Sequence, residues 1–133
     1  MRMAKLAIVI GICIASISTG VYFTIASDDI SSQTILDTSK TVIDQDIKYP
    51  TGSPLITSKI ITIPVGAETG KHIHEYPMFA YVLEGEITID YGDHGTKTFV
   101  KGDSFVEAVN YTHNGKNTGS ESTKILTVLM GRN

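Results

Sequence analysis

GAETGKHIHEYPMFAYVLEG, residues 66–85, sets two histidines two positions apart just ahead of a run of apolar and aromatic side chains. Alternate side chains of an extended chain share a face, so His72 and His74 project together without any special bend. Residues 79–83 are apolar at every position, as in a strand covered on both sides. A third histidine, His113, falls where a second strand led by Gly102 would end. Neutral imidazole is the commonest nitrogen donor to transition metals, and three that converge leave positions open for water or substrate. The plain alternative is a pair of surface histidines that happen to alternate.

The pattern on either side of this stretch is that of strands and turns. Ile87, Ile89 and Tyr91 alternate with Glu86, Thr88 and Asp90, as in a half-buried strand that follows a break at Gly85-Glu86. Residues 92–95, GDHG, read as a hairpin tip, which makes His94 a solvated loop residue. Residues 96–100, 104–108 and 124–130 read as three more strands, with 101–103 and 114–122 as turns. Upstream, Ile56, Ile60, Ile61 and Ile63 form a β-branched run that ends at Pro64, preceded by a proline and glycine loop over 48–54. No segment after residue 26 has helical periodicity. Many short strands with glycine turns predict an all-β antiparallel sandwich or barrel over 54–133, with 27–53 as a tether and one or two edge strands.

Residues 1–26 read differently. Arg2 and Lys5 precede 21 residues, 6–26, without a charge, which is the pattern of an export signal or a membrane anchor. Thr24-Ile25-Ala26 is an acceptable cleavage site, whereas the length of the run favours an uncleaved anchor in the inner membrane. Either way the domain is expected outside the cytoplasm, periplasmic or extracellular, with membrane contact only through this segment. Cys13, the single cysteine, lies inside the segment behind Ile12, too large for a lipoprotein signal. The domain therefore has no disulfide and no thiolate ligand. Without Arg2 and Lys5, nine basic residues face fourteen acidic ones, a net charge of about −5. An acidic surface disfavours nucleic acid, whose binding depends on neutralising phosphates, and suits a small-molecule ligand.

The spacings resemble the two motifs of the cupin superfamily. Gly66, His72, His74 and Gly85 match the first motif, but Met78 stands where the family places a glutamate. Gly102, His113 and Asn117 match the second, with Ala108 and Asn110 in place of its proline and second glycine. The resemblance spans roughly residues 55–130 and is to small single-domain bacterial cupins with an export segment. It implies a jelly-roll barrel, a divalent transition metal (Fe, Mn, Ni, Zn or Cu) held by His72, His74 and His113, and a homodimer joined through a sheet edge.

Inward histidines in a small barrel need partners, and one ion satisfies all three. Without the glutamate the centre is a three-histidine face, more electrophilic than one with a carboxylate. Met78 can be a soft ligand suited to copper or simply core packing. Glu75 and Glu107 are candidates for the missing carboxylate, and Glu75, Tyr76 and Glu107 for proton transfer. Glu75 also reads as a solvated loop residue, and Glu107 faces inward only if alternation holds to His113 across Asn110. Tyr76, Tyr81 and Tyr111 can supply pocket hydroxyls or ordinary strand packing, and Asn117 can fix a turn. Three functions fit: a metal-dependent dioxygenase, isomerase or decarboxylase for a small oxygenated or anionic molecule; a non-catalytic binder, for instance of a sugar acid; and a membrane-anchored interaction module with vestigial histidines.

Overall fold

The computed structural model describes residues 30–133, so the segment read as signal or anchor lies outside the described residues. Among the described residues no helix is long and apolar enough to cross a membrane. The described residues form seven strands: β1 (Pro54–Ile63), β2 (Met78–Glu84), β3 (Glu86–Asp90), β4 (Thr96–Val100), β5 (Ser104–Val106), β6 (Asn114–Lys116) and β7 (Thr123–Arg132). They make two sheets, ordered β1-β7-β2-β5 and β4-β3-β6, antiparallel throughout. This is the expected all-β jelly roll.

The strong apolar run over 79–91 is split between the two sheets at Gly85. Its φ is +70°, a conformation other L-residues rarely adopt, and a Cβ there would lie 3.0 Å from both the Ser122 carbonyl oxygen and Thr123 Cα. A register shift between Val82 and Glu84 adds a bulge beside it. Bulge and glycine together turn the chain through the corner between sheets, so β2 feeds one layer and β3 the other. Their inward residues, Ala80 and Val82 with Ile87, Ile89 and Tyr91, meet Ile63, Phe105 and Ile125 in one core.

Two turns behave as their sequences predict. The hairpin over 92–95 is closed by Tyr91 N–H donating to the Gly95 carbonyl at 2.9 Å, and His94 is exposed there. Asn117 is buried, its amide donating to the carbonyls of Ile63 and Glu121, each at 2.8 Å, while its Oδ1 accepts from Gly119 N–H.

Three expectations need correction. Residues 114–122 do not form only a turn, because β6 lies within them: Gly115 can pass within van der Waals range of β3, where a Cβ would come 2.8 Å from Ile87 Cδ1. The strand read over 104–108 ends at Val106, leaving Glu107 and Ala108 in the connection that follows. Over 30–53 there is no edge strand, only an isolated bridge between Lys40 and Asp46. This loop nonetheless docks by burying Ile43 and by a hydrogen bond from Val42 N–H to the Val106 carbonyl at 2.8 Å. Too few apolar residues alternate here for a strand, and Ile43 with hydrogen bonds to Val106 and between Gln45 and Val109 holds the loop.

Candidate metal centre

The stretch between β1 and β2 carries no long strand, yet it is held in strand-like pairing. His72 and His113 exchange backbone hydrogen bonds, N–H to carbonyl in both directions at 3.0 Å, so they are directly opposed antiparallel partners. Opposed residues of such a pair share a face, and His74, two positions on, shares it too. The His74 carbonyl accepts from Asn110 N–H at 2.7 Å, and Asn110 holds φ at +52°. Asparagine tolerates this left-handed conformation, so it serves at the second motif's glycine position.

The three imidazoles converge, His72 and His74 by their spacing and His113 by its pairing with His72. Ring centroids lie 4.9 Å apart for His72 and His74, 4.5 Å for His72 and His113, and 5.1 Å for His74 and His113. One nitrogen from each falls within 4.8 Å of the others. His72 Nδ1 lies 2.8 Å from the Gly70 carbonyl oxygen, and His113 Nδ1 lies 2.9 Å from that of Tyr111. A carbonyl only accepts, so each Nδ1 carries a proton, and in the neutral ring this leaves the lone pair on Nε2, the tautomer that binds metal through Nε2. His113 is 3% exposed and its Nε2 has no hydrogen-bond partner. An orphaned buried nitrogen is costly unless something coordinates it. Burial, then the charges of His72 and His113, push the His74 imidazole down to about 4, so it is neutral and able to coordinate at physiological pH. The donor set therefore fits a divalent transition metal.

The histidines open on a cavity of about 80 Å³ walled mainly by isoleucines of β1 and β3, with Met78, Phe105 and Ile125. Among the described residues no Lys or Arg lines it. Glu107 does line it, at 3% exposure. Glu75 and Tyr76 do not: they border a separate surface groove with Gln45, Tyr49 and Arg132, and Glu75 is exposed. Tyr76 Oη instead accepts from Arg132 Nε at 3.4 Å. Tyr81 and Tyr111 do not line the cavity either, although the Tyr111 carbonyl orients His113. Met78 forms part of the cavity wall.

Sequence reasoning passed over Tyr91. It is fully buried, its ring 5.7 Å from that of His113, and its hydroxyl has no hydrogen-bond partner. Burial, then the Glu107 carboxyl beside it, raise this hydroxyl's pKa well above the ordinary tyrosine range, so it stays protonated. The signal was present, since Tyr91 continues the inward alternation of Ile87 and Ile89.

A small antiparallel jelly roll with three histidines gathered at one cavity defines the class, a barrel protein with a candidate metal centre. The Cupin domain profile matches residues 59–129, more than half of the chain, and the chain belongs to that family. Solved structures of similar fold include a protein of Bacillus halodurans (21% identity, TM-score 0.53, 59% of this chain and 64% of that one). Others are the polyketide cyclase RemF of Streptomyces resistomycificus (20%, 0.52, 59% and 56%) and a cupin-superfamily sugar phosphate isomerase of Silicibacter pomeroyi (22%, 0.50, 59% and 51%). The chain thus spans between about half and two thirds of the length of these neighbours, and the likeness is one of fold. Among curated proteins none matches in sequence.

Proposed function

We propose that this chain is an exported cupin that holds a divalent transition metal on His72, His74 and His113 and acts there on a small oxygenated or anionic molecule, in dioxygenase, isomerase or decarboxylase type chemistry. One observation carries the reading: His113 Nε2 is buried without a partner while its Nδ1 is pinned to the Tyr111 carbonyl, so the free lone pair points into the histidine cluster. A bound divalent ion supplies Lewis acidity and open positions for substrate oxygens. The residues do the rest. The Gly70 and Tyr111 carbonyls fix two imidazoles, and the isoleucines make the wall around them largely apolar. With so little space, either the substrate has few heavy atoms or only its reacting end enters. With no Lys or Arg among the described residues lining the cavity, the metal is the anchor for an anion.

Export is part of the proposal, supported by Arg2 and Lys5 ahead of the uncharged run 6–26. So is a homodimer. β1 is an edge strand whose Ile56 and Ile60 are 60% and 65% exposed, an arrangement that pairing with a second copy would cover. Met78 in place of the family glutamate favours a second reading, a binder that retains metal and ligand without turnover.

Elemental analysis of the purified full-length chain tests the core of the proposal. The expected result is about one divalent metal per chain, abolished by His72→Ala with His74→Ala. Wild-type protein that takes up no metal at neutral pH overturns it.

A further inference from the structure

Position 78, which lacks the family glutamate, has an acidic neighbour across the sheet. In the β2–β5 register Phe79 faces Val106, and one step further the Glu107 N–H donates to the Met78 carbonyl at 2.8 Å. Met78 and Glu107 are thus cross-strand neighbours, and both line the histidine cavity. Glu107 Oε1 accepts from the Ala108 N–H at 2.7 Å, which orients the carboxyl group. The proline of the second motif would have no N–H to give at that position. Glu107 Oε2 lies 3.7 Å from His113 Nε2, too far for a hydrogen bond.

That distance and direction carry the argument. Carboxylates that support a metal-bound histidine from behind sit on the ring nitrogen that does not bind metal, and here that nitrogen, Nδ1, is taken by the Tyr111 carbonyl. Glu107 is on the other side of the ring, at the coordinating nitrogen. Donors on one ion with bonds of about 2.1 Å stand roughly 3–3.5 Å apart, within a few tenths of an ångström of the separation seen. Glu107 is buried in the cavity wall with the Tyr91 hydroxyl beside it, a setting in which a carboxylate calls for a cation, and among the described residues no Lys or Arg lines that wall.

We propose that Glu107 is a direct carboxylate ligand of the metal, supplied from beyond β5 in place of residue 78. The centre then has three histidines and one carboxylate, one negative charge more than the histidines alone. This rests on the three-histidine reading above. It makes the site less electrophilic than a bare three-histidine face and leaves fewer positions for substrate.

Zinc and cobalt(II) binding to the full-length chain test it, by competition with a chromophoric chelator and by the cobalt d–d spectrum. Glu107→Gln keeps an acceptor for Ala108 N–H. It should weaken metal binding by at least about 10- to 100-fold, the range found for losing even a supporting partner, and should alter the cobalt spectrum. Adding Met78→Glu to Glu107→Gln should recover much of the affinity. Should the variants fail to fold, the wild type still decides: its zinc-minus-apo infrared difference spectrum, with carbon-13 glutamate labelling, should show a shifted carboxylate band. Histidine-dependent metal binding with an unchanged Glu107→Gln affinity and cobalt spectrum, or with no glutamate band in the difference spectrum, overturns this inference alone. Absence of metal binding in the wild type overturns the three-histidine reading with it.

Discussion

β1 and β7 run side by side for ten residues in unbroken one-to-one register, and they meet opposite fates. Both are rich in aliphatic residues and threonine. β7 has β1 on one side and β2 on the other, and its alternate residues Thr123, Ile125 and Thr127 are buried, the last two in the cavity wall. β1 has a neighbour on one side only, and of its residues only Ile63 is buried. Composition made both strands. Position in the sheet decided which of them became core, since a side chain's burial depends on what lies across from it.

The sharpest way to break this comparison is at Ile125. Ile125→Ala should cost about 2–5 kcal/mol of unfolding free energy in urea titration, the range for emptying a packed core site. A cost as small as that of a surface change would mean that β7 is not the core strand. Next in size is the corner that lets β2 reach β7: Gly85→Ala must hold φ near +70° and press a methyl against the Ser122 carbonyl, a loss of about 1–3 kcal/mol. If Gly85→Ala melts like wild type, the corner is not strained as described.

A pH titration probes the site that the inner face of β7 helps to wall. In the metal-free protein the His74 pKa is lowered from 6.5 to about 4. Between these values the unfolded chain binds more protons than the folded one, so stability rises with pH across that window. Metal-free stability should be greatest above about pH 6.5 and fall as pH drops towards 4, with the His74 ring resonances titrating at the lower value. Metal retention should fall over the acid range too, because a protonated imidazole cannot coordinate. A His74 that titrates near 6.5 would mean that it is not buried against its neighbours.

The smallest effect on the folded chain belongs to β1. Ile56→Lys with Ile60→Lys should change per-chain stability by no more than about 0.5 kcal/mol each, as for surface sites, when measured where the wild type is monomeric. In sedimentation at higher concentration the same pair should turn a dimeric wild type into a monomer. A wild type that is monomeric at every concentration would leave β1 an unprotected edge and refute the dimer.

Much of the fold was legible because local rules were enough. Alternation at Ile87, Ile89 and Tyr91, the glycine turns and the proline after Ile63 each specify the backbone within a few residues. The pairing of His72 with His74 was legible for the same reason, since it needs only the two-residue period of an extended chain. The strand at 114–116 was not, because Asn-Gly-Lys has little strand propensity and forms one only where Gly115 can approach Ile87.

Glu107 marks the boundary most clearly. Counting by twos from His113 places it on the histidine face only if the chain stays regular, and Asn110 at φ +52° shows that it does not. The turn nevertheless brings Glu107 back to the same cavity through its bond to Met78, a partner 29 positions away in sequence. By itself the sequence determined an all-β chain, the shared face of His72 and His74, and the absence of a carboxylate at position 78, because each depends on neighbours along the chain. The tertiary structure decided that His113 completes the cluster, that Glu107 rather than Glu75 or Tyr76 reaches the cavity, and that β1 stays exposed, because each depends on what packs across the sheet.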